Sequence, residues 1–440
     1  MTKTNKRTIF LSAFIVPVFF SSIFAQGCPS SSQQQAVTLE FWGVFDDSNL
    51  IKPIIEQFRK QYSYFTINYH EKDVNTYEKD LIDALAAGRG PDIFFINNTW
   101  LPKHIDKLAA APETMISVKN VNDNFVDVVA QDFVDSNKVY ALPLSVDSLA
   151  LFYNKDLLNS AGIASPPINW AQFNTAVEKL TQRDSKNNIL RAGAALGTSQ
   201  NVNRSTDILA MLMIQGGANM IADDKNVAAF DQTKTLANNQ SFNPGELALT
   251  FYTNFANPLK KVYTWNQYQH YSIDAFIEGN AAMMINYSYQ IPVIKARSPH
   301  LNFGVAAIPQ ISSDNPSVSF ANYWGLAVSK TAGTKIPYAW KFIDWFSSDQ
   351  ENLKNYLQTT QRPTGRRDLI DWQKNDEYLG VFAQQSLIAK SWWEVDNLAI
   401  ETIFAQMIDV VTIKHQSPLS ALQTASQQIT VLMQKKKQLQ

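Results

Sequence analysis

A single cysteine, Cys28, occurs in 440 residues, so no internal disulfide can form and the folded state must rest on packing. Histidine is scarce. His70, His104, His270, His300 and His415 are scattered without the spacing of metal ligands. No glycine-rich stretch has the form of a phosphate cradle, and no cofactor motif or catalytic constellation stands out. Neither sign of charge dominates: 38 Lys and Arg stand against 39 Asp and Glu, a formal net charge of −1. A nucleic-acid partner would call for a basic face, and the composition supplies none. After the N-terminal region there is no second long apolar run, so no spanning helix is expected in the body of the chain.

What is present begins at the start of the chain. Lys3, Lys6 and Arg7 precede an apolar run over residues 9–20, which ends in Ala25-Gln26-Gly27-Cys28. This order of charge, apolar run and small-residue exit is that of a secretory signal peptide over residues 1–27. The small residue before Cys28 resembles the lipobox of bacterial lipoproteins, with Ala25 where Leu is usual, and implies lipidation of Cys28. An ordinary cleaved signal and an uncleaved anchor are the alternatives; Pro17 and the Ser21-Ser22 break argue against the anchor. Residues 28–36, rich in Ser and Gln, read as a polar tether between lipid and folded body. Removing residues 1–27 takes away three positive charges and no negative ones, leaving a formal charge of −4.

With 45% hydrophobic and 18% charged residues, the chain can bury large cores, and its length sets two domains as the expectation. Residues 37–42 alternate as a strand and 50–60 have helical spacing. Residues 65–69 form a second strand, and 77–87 a second helix with Leu81, Leu85 and Ala86 along one side and Gly88 as its C-cap. Residues 93–96 are an apolar run of buried-strand type. Strands alternating with helices imply βαβ units and a parallel sheet, an α/β fold. Residues 140–155 form an extended run too long for one average strand, either a strand pair or a crossing between domains. Further on, 208–214 is a helical stripe closed by Gly216-Gly217. Residues 281–286, 303–309 and 325–329 read as strands, 338–346 as an aromatic-rich helix, and the chain from Asn397 onward as helices. Lys435, Lys436 and Lys437 read as a frayed helix end.

Four stretches stand in a recognisable order: Leu39-Glu40-Phe41-Trp42; Leu81-Ile82-Asp83-Ala84-Leu85-Ala86-Ala87-Gly88-Arg89-Gly90-Pro91-Asp92-Ile93; Val146-Asp147-Ser148-Leu149-Ala150-Leu151-Phe152-Tyr153-Asn154-Lys155-Asp156-Leu157 with Pro166-Pro167-Ile168-Asn169-Trp170; and Gly279-Asn280-Ala281-Ala282-Met283-Met284-Ile285-Asn286 leading to Phe303-Gly304-Val305 and Tyr323-Trp324-Gly325-Leu326-Ala327-Val328. In this order and spacing the chain resembles the extracellular solute-binding proteins of ABC importers, in the carbohydrate-binding family that includes maltose-binding protein. The resemblance implies a two-lobed α/β fold of the periplasmic-binding-protein type (type II) with a hinge between the lobes. It places residues 37–143 with 287–322 in one lobe and 144–286 with 323–440 in the other. It implies a monomer outside the cytoplasm that holds a small-molecule solute, here a carbohydrate, and passes it to the membrane permease of an ABC importer. It implies neither enzyme activity nor a cofactor.

Sugars present flat C–H faces and a rim of hydroxyls, which aromatic rings and Asp, Asn, Gln or Arg side chains meet. Candidates stand just past strand ends: Trp42 and Asp46 after the first strand; Asn97, Asn98 and Trp100 after the strand 93–96; Asp147 within the long extended run; Asn286 and Tyr287; Tyr323 and Trp324; and Arg362 in a polar loop. Each has a structural alternative as core aromatic, helix cap or solvated charge. Trp265 and the pair Trp392-Trp393 are weaker candidates. A polyamine, peptide or anion is the alternative solute class. The scarcity of candidate carboxylates, Asp46, Asp47 and Asp147, favours neutral polyols over polyamines. A glycoside-processing enzyme is a further alternative, supported only by the adjacent Asp46-Asp47.

Overall fold

The alternating start of the body forms the strand Val37–Gly43, with Val37, Leu39 and Phe41 buried and Thr38, Glu40 and Trp42 more exposed. The structure, a computed structural model, describes residues 35–236, 239–312 and 316–439. The segment read as an export signal, Cys28 and most of the segment read as a tether lie outside the described residues. The first strand pairs in parallel with Phe65–Glu71 and with Ile93–Asn97. The helices Ser48–Gln61 and Tyr77–Ala86 make the connections. Asp47 caps the first, its carboxylate accepting from the Leu50 N–H at 2.9 Å. Gly88, at φ +67°, ends the second in the left-handed conformation that costs glycine little. That helix buries Tyr77, Leu81 and Leu85, while Ala86, expected on the same side, is exposed.

The first sheet is completed from far along the chain. The strand Trp324–Ser329 lies antiparallel to Ile93–Asn97, to Ala141–Pro143 and to Leu108–Ala109. Gly325 is required there: a Cβ would stand 2.6 Å from the Phe133 ring. A second sheet is antiparallel throughout, with Ala150–Asn154 between Met283–Asn286 and Phe303–Ala306. Around it pack Ser205–Gln215, Pro244–Asn254, Asn397–Thr412 and Pro418–Leu439. The Lys435 to Lys437 segment belongs to the last of these helices, and the Lys436 Nζ donates to the Lys103 carbonyl at 3.1 Å.

Each sheet has its own hydrophobic core, giving the two-lobed α/β fold that the family resemblance implies. The exchange of chain between lobes differs from the expected one. Residues 303–306 pair in the second sheet and 324–329 in the first, the reverse of what the expected assignment of 287–322 and 323–440 gives for these strands, whereas the helices from Asn397 onward pack in the second lobe as expected. Apolar patterning identifies both as buried strands, but the choice of neighbour depends on pairings distant in sequence. The long run 140–155 divides between the sheets, and the chain crosses between lobes after Ala141–Pro143. It returns after Phe320 and crosses once more between Ile370 and Leu379. The first two crossings pair with each other: Leu149 N–H donates to Phe320 O at 2.9 Å and Asn322 N–H to Asp147 O at 3.1 Å. Ser148 and Ala321 form an antiparallel bridge between them.

A buried polar cluster braces the return crossing. The Asp132 carboxylate accepts from Asn98 Nδ2 at 2.9 Å, from the Tyr323 hydroxyl at 2.9 Å and from the Ser391 hydroxyl. Burial pushes Asp132 up to about 7 against the pull of these donors. Between about pH 4 and pH 7 the folded protein therefore keeps a proton that an unfolded chain releases, and stability falls as pH rises through that window. Asp147, pushed up to about 6 by burial, acts in the same direction over a narrower range. Asp132→Asn removes the larger titration. In denaturant melts between pH 5 and pH 8 the variant is expected to lose about 1–3 kcal/mol less than wild type on going to pH 8. Identical pH profiles for the two proteins would contradict this assignment.

Candidate ligand-binding site between the lobes

A cavity of about 670 Å³ opens between the lobes, over the paired crossings. Asn97, Trp100, Trp324 and Arg362 line it from the first lobe, and Arg204, Asp207, Tyr289 and Glu401 from the second. Asp147, Ala321 and Asn322, on the crossings themselves, complete the lining. Ligands of α/β sheets gather beyond strand ends, and here three strand ends converge: Asn97 ends one strand, Trp324 begins its neighbour, and the second-lobe strand ends at Asn286.

The first lobe contributes aromatic faces. The half-buried Trp324 ring meets Trp100 edge-on at 4.9 Å, Phe45 edge-on at 5.3 Å and Tyr77 at 6.1 Å. Tyr77 is anchored by its hydroxyl, which donates to Phe95 O at 2.9 Å. These rings hold one another at fixed angles, so a flat ligand face finds them already placed. Phe45 is 54% exposed and sits at φ +70°. Arg204 and Gln361, which also line the cavity, have φ of +60° and +52°. Left-handed backbone at a non-glycine residue costs of the order of 1–3 kcal/mol, and such strain gathers at functional sites.

Arg362 is held from behind. Its guanidinium stands 2.8 Å from the Asp46 carboxylate and donates to the Tyr356 hydroxyl. Tyr356 in turn donates to Asp46 at 2.8 Å, and the Tyr69 hydroxyl donates to the Asp46 carbonyl at 2.6 Å. Asp46 is buried and absent from the cavity lining, so it orients Arg362 and does not face a ligand. Asn97 is similarly engaged: its Nδ2 donates to Asn322 Oδ1 at 3.1 Å, and its Oδ1 accepts from the Thr99 hydroxyl at 2.8 Å.

The second lobe contributes carboxylates. Asp147 accepts from the Ser288 hydroxyl at 2.7 Å and from the Ser148 N–H at 2.8 Å. The Tyr287 hydroxyl donates to Asp207 at 2.7 Å, and Arg204 Nε donates to the Tyr289 hydroxyl at 3.2 Å. Burial holds Glu401 above the ordinary carboxyl range and Glu394 well above it, each with Asp207 as a neighbouring negative charge.

Of the residues singled out in the sequence, the cavity brings together Asn97, Trp100, Asp147, Trp324 and Arg362, with Trp392. The others stand behind it or elsewhere. Trp42 lies on the first strand under the Lys72 ammonium, 3.8 Å from the ring centre. Asn98 and Tyr323 belong to the Asp132 cluster. Asn286 is fully buried and donates to Asn203 at 3.0 Å, while buried Tyr287 orients Asp207. Trp265 is fully buried core, and Trp393 lines a second cavity of about 880 Å³ that Trp100 and Trp324 do not reach. Phe45, Arg204, Asp207, Tyr289, Glu394 and Glu401 were not legible as site residues in sequence. Asp207 reads as an ordinary acid in the first turn of a helix, and the others carry no periodic or motif signal.

Residues 53–379 match the family described as bacterial extracellular solute-binding protein. A galactooligosaccharide-binding protein of Bacillus subtilis is 21% identical over 373 residues, 84% of this chain and 83% of its own. A maltotriose-binding protein of Pyrococcus abyssi is 25% identical over 280 residues, 63% of this chain and 55% of its own. Three Brucella relatives match at 24% identity, and the chain spans 60% of their length. Among solved structures, the cyclic α-maltosyl-1,6-maltose binding protein of Arthrobacter globiformis superposes with a TM-score of 0.75 at 18% identity, covering 91% of this chain and 99% of that one. An ABC transporter solute-binding protein of Thermotoga lettingae bound with α-D-tagatose gives 0.68 at 22% identity, covering 90% and 99%. With two lobes, a cavity between them and a family match over most of its length, this chain belongs to the bacterial extracellular solute-binding proteins.

Proposed function

We propose that the protein captures a carbohydrate, a sugar or an oligosaccharide, in the cavity between its lobes. The observation that carries this reading is the Trp324 ring, half-buried, braced by Trp100 and Phe45 and open to the cavity. A sugar's C–H face stacks on such a ring, while Arg362, Asn97 and Asp147 meet hydroxyls at its rim. The names of the Bacillus and Pyrococcus relatives support the same class. The solute is then handed to the membrane permease of an ABC importer. The protein works outside the cytoplasm as a binder, held to the membrane by lipid on Cys28.

Thermal-shift screening of residues 37–440 against sugars tests the ligand class, since a ligand at about 100 times its Kd adds about 2.7 kcal/mol to stability. For a sugar found this way, Trp324→Ala is expected to weaken binding by about 1–3 kcal/mol with little change in denaturant midpoint. A stability loss of about 3–5 kcal/mol with unaltered affinity per folded molecule would make Trp324 a core residue and remove it from the site. The anchor has its own test. Intact-mass measurement of the membrane-extracted protein is expected to show an acylated Cys28, and Cys28→Ser to move the protein into the soluble fraction. A mature protein whose Cys28 carries no lipid would refute the anchor.

A further inference from the structure

The second-lobe wall holds acceptors without donors. Glu394 is only 9% exposed, lines the cavity, and among the described residues forms no hydrogen bond or ion pair. Asn397, at the head of the helix Asn397–Thr412, also lines the cavity, and its Oδ1 is buried without a donor. Glu401 follows one turn later on the same helix and faces the same space. Asp207 has one hydroxyl, from Tyr287, and lines the cavity opposite them in sequence. Arg204 is the one cation of this wall among the described residues, and its Nε is engaged with Tyr289. The other guanidinium of the cavity, Arg362, already has Asp46 as its counterion. The Arg204 charge acts on Asp207 and Glu401, whereas Glu394 has only negative neighbours and is left without a counterion.

A buried polar group without a partner is costly, so this wall is built for something that arrives with donors. Carboxylate or phosphate groups on the solute would add acceptors to acceptors and repel. A ring hydroxyl offers one proton, whereas an ammonium offers three donors and a positive charge. The elevated proton affinities of Glu394 and Glu401 agree, because a cation beside them relieves both. Among the described residues no three His, Cys, Asp or Glu side chains are placed to hold a metal ion, so the cation expected here is organic. We propose that the solute is aminated: an amino sugar, or an oligosaccharide bearing one, whose ring lies on Trp324 and whose ammonium seats on Glu394, in a wall that Glu401 and Asp207 make negative. The ring half of this assignment rests on the carbohydrate reading; the amine half does not.

Calorimetric titration with matched probes separates the two halves. Glucose, glucosamine and N-acetylglucosamine form one series, the corresponding galactose compounds a second, and cellobiose, fully deacetylated chitobiose and chitobiose a third. Within each, the members differ at C2 in bearing hydroxyl, ammonium or acetamide; spermidine is added as an amine that is not a sugar. At pH 7 the ammonium member of at least one series is expected to bind about ten-fold or more tighter than its hydroxyl and acetamide counterparts. Glu394→Gln should bring that ratio to roughly one by lowering the affinity of the ammonium member. Glu401→Gln, a second variant, should lower the ratio by a smaller factor. Hydroxyl or acetamide members that bind as well as the ammonium member in every series, or an amine preference that survives Glu394→Gln in a folded variant, would overturn the proposal. So would a failure of every amine probe to bind. Binding of spermidine with no sugar binding would keep the amine seat and refute the carbohydrate reading; sugar binding without amine preference would do the opposite.

Discussion

The antiparallel pairing of the first two crossings is the constraint on which the rest depends. Two backbone hydrogen bonds, Leu149 N–H to Phe320 O and Asn322 N–H to Asp147 O, tie together two of the three segments that run between the lobes. Because these crossings are paired, both lobes are held at one short waist, and the space above it becomes a shared cavity. The same waist places Asp147 and Asn322 at the floor of that cavity. Ser288 then clamps the Asp147 side chain from the second lobe, and Asp132 secures Tyr323 from the first. Closure around a ligand by bending at such connecting segments is an established motion of two-lobed receptors.

The two walls are built differently, and the difference follows from their elements. On the first lobe the strand ends at Asn97 and Trp324 bring aromatic rings together, and those rings pack on one another before any ligand arrives. Arg362 likewise comes preset by Asp46 and Tyr356. On the second lobe the site is made near the starts of two helices that pack on each other, Ser205–Gln215 and Asn397–Thr412: Asp207 stands in the first turn of one, where the helix dipole favours an acid, while Glu394 precedes the other and Glu401 follows its first turn. An aromatic platform facing a carboxylate wall gives a solute one apolar face and one polar edge to satisfy, which restricts both its orientation and its chemistry.

Much of the first lobe was legible in sequence. The strand at 37–43 alternates, the strand at 93–97 is continuously apolar and buried, and Gly88 ends its helix at positive φ as its position predicts. The strand at 324–329 was also legible, but its membership in the first sheet was not, because that depends on pairing with residues more than two hundred positions earlier. Trp100, Asp147, Trp324 and Arg362 stood out by position, beside strand ends, within the long extended run or in a polar loop, though each also had a structural alternative. Asp46 stood out for the right loop, yet its carboxylate turns inward to Arg362. Glu394 had no such signal, since its three-dimensional neighbours come from the helix after it and from Asp207, nearly two hundred residues away. Phe45 was hidden for a different reason: its exposure depends on a left-handed backbone that nothing in its own side chain announces.

The central claim, that a solute lodges between the lobes against the Trp324 wall, is met most directly by a crystal structure grown with the tightest-binding sugar identified for the protein. The account predicts ligand density in the cavity over the paired crossings, with a sugar ring stacked on Trp324 and a polar atom within hydrogen-bond distance of Arg362. Ligand density confined to the second cavity beside Trp393, or to the outer surface with the interlobe cavity unfilled, would contradict it.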